Sequence, residues 1–209
     1  MAIDEVLLEA AADLGAPLLR FYSWSELAAS FGYSQRYAEI VKLTPLRPLV
    51  RRPTGGGLVA HEADWTYSLV FSPTVPWYSL KAIESYQRVH AWIQAVFERL
   101  SISTQLAVSA RTELPGQCFA GAERFDLLCD ERKIAGAAQR RNHQGLLIQG
   151  SVQPPTGVPR ASWEATFCEV AQIAWGVMWK EFSIPSEMQR RIEDRAREKF
   201  GNPEFTRSR

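Results

Sequence analysis

Three consecutive glycines, Gly55-Gly56-Gly57, follow the pair Arg51-Arg52 and stand between two strand-like runs, Leu49–Arg52 and Leu58–His61. No other segment restricts the fold as much. Glycine lets the backbone take positive φ and brings amide groups close to a neighbour. The stretch from Arg51 to His61 is therefore read as a tight turn joining strands. The two arginines can supply charge to a phosphate or carboxylate. The Gly-Lys-Ser/Thr ending of a P-loop is missing, and contiguous glycines do not match the spaced glycines of a dinucleotide fingerprint. On these residues alone, a hairpin turn and a ligand cradle both stay open.

Hydrophobic periodicity outlines the rest. Ile3, Val6, Leu7, Ala10, Ala11 and Leu14 recur at three and four residues, predicting a helix stopped by Gly15 and Pro17. Leu18–Trp24 reads as a strand, and Ser25-Glu26-Leu27 as the start of a brief helix ending near Gly32. Trp65–Phe71 is strand-like. Ser79 is placed as the cap of a long helix carrying Leu80, Ile83, Ile93, Val96, Phe97 and Leu100 on one face. Further strands are expected at Leu106–Val108, Phe125–Cys129, Lys133–Arg140 and Gly145–Val152, with a turn at Asp130-Glu131. Ser162 opens a helix rich in Trp163, Phe167, Val170 and Ile173. Residues 185–209, with seven basic and five acidic side chains from Ser186 onward, read as a solvated surface helix and tail. Antiparallel strand runs with flanking helices place the chain in the α+β class, and nothing divides residues 1–209 into two domains.

Composition narrows the function. Of 209 residues, 24 are Lys or Arg and 23 Asp or Glu, a net charge of +1. That balance gives no long-range attraction to nucleic acid or to an anionic membrane. No apolar run reaches the ~20 residues of a membrane span. Cys118, Cys129 and Cys168 are odd in number and lack metal or redox spacing. Free thiols in a reducing compartment, with acid near the start where a secretory signal carries base, predict a cytoplasmic protein without a metal site.

The residues with reactive potential are few. Cys118 lies in Pro115-Gly116-Gln117-Cys118-Phe119-Ala120-Gly121, a loop where a nearby cation would make a thiol reactive. Cys129 and Cys168 sit in apolar runs and read as small core residues. Lys133 precedes Ile134, Ala135, Gly136, Ala137 and Ala138, whose small side chains leave room above a strand for the lysine to hold a carbonyl. A solvated lysine beside a turn is the plainer reading. His61 is open to two roles, ligand orientation or base chemistry, and closure of the glycine turn. His90 and His143 have no partner legible in the sequence.

Taken in order, these segments resemble the lipoate–protein ligase and octanoyltransferase superfamily. Ala2-Ile3-Asp4-Glu5 with Leu7-Leu8 looks like its opening helix. Leu19-Arg20-Phe21-Tyr22-Ser23-Trp24 and Ser30-Phe31-Gly32-Tyr33-Ser34-Gln35 look like its next two signatures. Arg51–His61 is similar to its Arg-Arg-x-Thr/Ser-Gly-Gly-x-x-Val-x-His motif, and Lys133–Gln139 to its lysine motif. The resemblance implies a biotin/lipoyl protein ligase-like catalytic domain of mostly antiparallel sheets flanked by helices. It implies that Arg51, Arg52, Thr54, Gly55, Gly56, Gly57 and His61 wrap an acyl chain and its activated carboxyl group. Lys133, with Gly136 and Ala137 beside it, would meet the acyl carbonyl.

Cys118-Phe119, followed by Phe125-Asp126-Leu127 and then Lys133, resembles the cysteine-dependent octanoyltransferases. There a cysteine takes the acyl group from acyl carrier protein without a cofactor. It then passes the group to a lysine of a lipoyl domain of a 2-oxoacid dehydrogenase, or of the glycine-cleavage carrier protein. Gly57, where that branch would carry arginine, and the absence of proline after Cys118-Phe119 depart from its pattern. The rival implied by the same resemblance is an ATP- and Mg-dependent lipoate ligase, in which Arg51, Arg52 and Lys133 serve an acyl-adenylate. A non-catalytic acyl- or lipoyl-domain-binding homologue is the third. No Gly-Arg-Gly-Arg-type loop of a biotin ligase is present.

Overall fold

A computed structural model describes residues 1–112, 118–119 and 121–208. In chain order its elements are α1 (Ala2–Glu9), α2 (Ala11–Leu14), β1 (Leu18–Tyr22), β2 (Ala28–Phe31), α3 (Tyr37–Leu43), β3 (Leu49–Arg51), β4 (Val59–His61), β5 (Trp65–Phe71), α4 (Pro76–Ser79) and α5 (Ala82–Arg99). There follow β6 (Gln105–Leu106), β7 (Arg111–Thr112), β8 (Gly121–Ala122), β9 (Leu127–Cys129), β10 (Arg132–Asn142), β11 (Gly145–Val152), α6 (Arg160–Trp175), α7 (Ser186–Arg195), a π-helical turn over Ala196–Phe200, and α8 (Pro203–Arg207).

Six strands form an antiparallel sheet in the order β1-β5-β11-β10-β9-β6. Strand β5 shows why its sequence is apolar almost throughout: all seven residues are buried, because both faces of the sheet are covered. Trp65, Tyr67, Leu69 and Phe71 point into a core shared with Val89, Ile93, Val96 and Phe97 of α5 and Trp163 and Phe167 of α6. Val70, pointing the other way, joins Leu147 and the apolar side of α1. A smaller sheet, order β3-β2-β4, has β2 parallel to β3 and antiparallel to β4. Phe31, Ile40, Leu49 and Leu58 form its separate core.

The architecture is the expected α+β arrangement, with local corrections. Ser25–Leu27 opens no helix; the chain bends there and enters β2, whose four residues are buried between two partner strands. Ser79 ends the short α4, and the long helix α5 begins after Lys81, whose backbone N–H donates to Glu84 at 2.8 Å. Residues 185–209 are docked rather than merely solvated. Met188 and Ile192, one turn apart on α7, bury against α1, while Arg195 and Lys199 pair with Glu5. Glu5 is held below its ordinary value: burial alone would raise it, but the two cations outweigh that cost. Cys129 and Cys168 are half-buried, and Cys129 packs against the edge of the main core. No described helix is long and apolar enough to cross a membrane.

Candidate active site

Between the two sheets lies a cleft open to solvent. Its walls come from Tyr22, Ser30, Val59 and Thr66 on the strands, from Gly136, Ala137 and Ala138 on β10, and from Gln149, Gly150 and Ser151 on β11. Arg52, Gly56, His61, Cys118 and Met1 complete it.

The glycine turn shapes one side. Gly56 takes φ +84, and a Cβ there would stand 3.3 Å from both Ala138 Cβ and the Arg52 guanidinium. A side chain would be strained in backbone and tight in space. Arg52 is 6% exposed. Its guanidinium donates to the carbonyls of Gly55 and Gly57 at 3.0 and 2.7 Å, and to Ser30 Oγ at 2.9 Å. Arg52 therefore staples the turn from inside. Burial pulls its pKa down from the usual arginine value, against the opposing effect of Cys118.

Behind Arg52 runs a chain of hydrogen-bonded polar groups. Ser30 Oγ lies 2.6 Å from His61 Nε2, and His61 Nδ1 lies 2.8 Å from Asp64 Oδ2. Asp64 also accepts from Ser151 Oγ at 2.6 Å. A carboxylate only accepts, so Nδ1–H donates to Asp64. Nε2 and the Ser30 hydroxyl share a hydrogen bond, and the Ser30 oxygen accepts from Arg52. The His61 ring stacks on Trp24 with centroids 4.0 Å apart. Both ring nitrogens are thus engaged by the protein, and the ring also borders the cleft.

Arg51 and Thr54 point away from the cleft. Arg51 is 1% exposed and donates to the carbonyls of Tyr33 and Gln35, and of Phe205 and Thr206 at the end of α8. Thr54 donates to Gln149 Oε1 at 2.8 Å. Gln149 in turn donates to Asp4, which also accepts from Ser68 and Arg20. Asp4 stays below its ordinary value: burial opposes its charge, and Arg20, the N-terminal amino group and the Ser68 hydroxyl together more than compensate.

The opposite corner carries Cys118. Its backbone N–H donates to Leu58 O at 2.9 Å, fixing the thiol next to the exit of the glycine turn. Lys133 Nζ stands 3.4 Å from Cys118 Sγ and 2.7 Å from Asp126 Oδ2. The lysine side chain is 4% exposed and the aspartate 0%. The β9–β10 ladder shifts register between Lys133 and Ala135, a bulge-like irregularity that re-aims side chains beside a site. Gly136 is required for this packing: a Cβ there would meet Lys133 Cε at 2.8 Å, Nζ at 3.0 Å and Cys118 Sγ at 3.4 Å. Burial alone would lower the Lys133 pKa; the charges of Cys118 and Asp126 reverse that and hold it above its ordinary value. Among the described residues no group of three or more His, Cys, Asp or Glu converges as a metal site.

Residues 1–153 match the lipoyl protein ligase A/B catalytic domain. The chain belongs to that family. It is 39% identical over 158 residues to the octanoyltransferase LipM of Carboxydothermus hydrogenoformans, across 73% of this chain and 59% of that one. It is 34% identical over 166 residues to the LipM of Exiguobacterium sibiricum, across 73% and 60%. The chain therefore spans about 60% of the length of these curated relatives. Among solved structures, a lipoate-protein ligase A bound with ATP superposes with TM-score 0.80 at 17% identity, over 99% of this chain and 92% of that one. The fold of the family, mostly antiparallel sheet flanked by helices, is thus present.

Of the residues singled out in the sequence, Cys118, Arg52, Gly56, His61, Gly136 and Ala137 line the cleft, and Lys133 touches it through Cys118. Gly55 and Gly57 serve through their carbonyls. Ser30, Asp64, Ser151, Tyr86 and Asp126 were not singled out. Asp126 had a faint signal as the acid of Phe125-Asp126-Leu127; the others are ordinary strand, loop and helix residues.

Proposed function

We propose that this chain is the catalytic domain of a cytoplasmic octanoyltransferase in protein lipoylation. Cys118 takes the octanoyl group from acyl carrier protein as a thioester and passes it to a lysine of a lipoyl domain, without a cofactor. The observation that carries the reading is the Lys133 ammonium 3.4 Å from Cys118 Sγ at the wall of the cleft. The LipM relatives support it.

In the first step the Cys118 thiolate attacks the donor thioester. A new C–S bond to Sγ forms, the donor C–S bond breaks, and the departing sulfur takes a proton from solvent. In the second, the acceptor amine attacks, the C–N bond forms, and the C–S bond to Cys118 breaks to return the thiolate; the amine proton passes to solvent. Exchange between thioesters is near thermoneutral, and conversion to an amide drives the sequence. Each tetrahedral intermediate places negative charge on the carbonyl oxygen, where one well-placed donor is worth about 3–4 kcal/mol.

The ligase reading gains little from this geometry. It needs cations for an adenylate, and Arg51 and Arg52 already donate to backbone carbonyls and Ser30. The deciding experiment is intact-mass analysis after mixing with octanoyl-acyl carrier protein in the absence of ATP. A hydroxylamine-labile octanoyl adduct mapping to Cys118 is expected. Labelling of a lipoyl domain only when ATP, Mg and free acid are supplied would replace the transferase with the ligase.

A further inference from the structure

The transfer steps use Cys118 and Lys133 and leave unexplained why a carboxylate is buried beside them. Asp126 is 0% exposed, and three donors surround it: Tyr86 OH on Oδ1, and on Oδ2 both Lys133 Nζ at 2.7 Å and the Glu123 backbone N–H at 2.6 Å. The turn that delivers it is strained. Phe125, a non-glycine residue, sits at φ +73. Flanking hydrogen bonds pin it, from Phe125 N–H to Ala107 O and from Ala107 N–H to Asp126 O, each 2.8 Å. Strain held in place next to a reactive pair implies that the position of this carboxylate matters.

Donor accounting gives its role. An ammonium has three N–H groups. In Lys133 one goes to Asp126 and one to Cys118; the third meets no nitrogen, oxygen or sulfur acceptor among the described residues, and the Phe119 ring centroid lies 5.3 Å from Nζ. We propose that Asp126 is a positioning residue for acyl transfer: it holds Lys133 by one N–H, so that the second meets the Cys118 sulfur and the third is left for the thioester carbonyl oxygen. This rests on the transfer reading above. It makes Lys133 a fixed cation rather than a proton acceptor. The groups facing the pair agree with a retained proton. Cys118 and Asp126 raise Lys133, and Tyr86 is pushed above its ordinary value by burial and by Asp126, so it stays a donor. His90, behind Tyr86 on α5, is lowered by burial to about 4 and brings no competing charge at neutral pH. Arg52, on the far side of Cys118, is engaged by the glycine turn.

The test follows the Lys133 side chain itself. The chain has five lysines, Lys42, Lys81, Lys133, Lys180 and Lys199, so its 13Cε resonance can be assigned with Lys133→Arg and titrated. In Asp126→Asn, Lys133 is expected to titrate at least one pH unit lower. The basic limb of kcat/KM for Cys118 octanoylation is expected to move down with it, and the rate to fall about 10- to 100-fold. Asp126→Glu keeps the charge and is expected to retain the high titration while recovering part of the rate. An unchanged Lys133 titration in Asp126→Asn, or a slower reaction whose basic limb stays in place, overturns the proposal. Should Asp126→Asn not fold, Tyr86→Phe carries the test, with a several-fold slower reaction and Lys133 still titrating high; an undiminished rate there counts against the proposal. An unmodified chain that takes no octanoyl group on Cys118 yet shows a high-titrating Lys133 overturns the transfer reading and leaves the ion pair standing.

Discussion

Two buried polar networks border the cleft, and they differ in whether a reactive group is left to meet a ligand. In the chain Asp64–His61–Ser30–Arg52 both ring nitrogens of His61 and the Ser30 hydroxyl are engaged within the protein. In the corner Asp126–Lys133–Cys118 one ammonium N–H meets no nitrogen, oxygen or sulfur acceptor among the described residues, and the sulfur is only half-buried. The first arrangement resembles a hydrolytic triad by residue type, Ser, His and Asp at hydrogen-bond distances. Yet its serine oxygen already accepts from Arg52, and the group as a whole is buried. Fully satisfied buried networks rigidify the structure around them. Asking whether the nucleophile candidate is already engaged therefore separates the network that shapes the cleft from the one assigned the chemistry.

The sharpest way to break this contrast is Cys118→Ala. It should lower transfer by about 10⁴-fold or more, as loss of a nucleophile does, while Cys129→Ala leaves it unchanged; equal loss in both would remove the distinction. Next is Lys133→Met, expected to cost about 10²–10³ in kcat, the scale of one lost oxyanion donor, with folding checked by circular dichroism. The relay should answer differently. Asp64→Ala leaves His61 Nδ1–H and the Ser151 hydroxyl unpartnered and is expected to destabilise by about 2–5 kcal/mol in urea titration. Any transfer defect should appear in KM more than in kcat.

His90 tests the background of the corner. Its folded value near 4 lies below the ordinary 6.5. Between those values the unfolded chain binds the proton that the folded chain refuses, so stability falls as pH drops from about 6.5 toward 4. The loss is at most about 3 kcal/mol, and His90→Leu should abolish that slope. The smallest effect is expected at the clamp of the C-terminal segment. Glu5→Gln weakens its pairs with Arg195 and Lys199, for about 1 kcal/mol. Because the folded value of Glu5 is depressed, that contribution is present above about pH 4.5 and fades as pH falls through the folded value.

Much of the framework is legible along the chain because it is local. Strand β5, the hairpin of β9 and β10 and the strand β11 announce themselves by strand-like runs and flanking turn residues, and α5 by its 3.6-residue period. Local signals mislead where tertiary contacts outweigh them. Ser25-Glu26-Leu27 has the look of a helix start, but Ala28–Phe31 gains more by pairing on both edges as a strand. The charged stretch after Pro185 looks solvated because Met188 and Ile192 are its few apolar residues, and their value appears only against α1.

The same boundary runs through the site. The glycine triplet, Gly136 and the lysine that follows a turn mark the cleft in one dimension, because backbone freedom and lack of a side chain belong to the residues themselves. Whether Cys118 meets Lys133 across fifteen positions, whether His61 has a nitrogen to spare, and which carboxylate holds the lysine are matters of distance and of unspent hydrogen-bonding capacity. Those quantities exist only after the chain has closed on itself: it takes the Cys118–Leu58 hydrogen bond, the irregular β9–β10 ladder and the strained turn at Phe125 to bring sulfur, ammonium and carboxylate together.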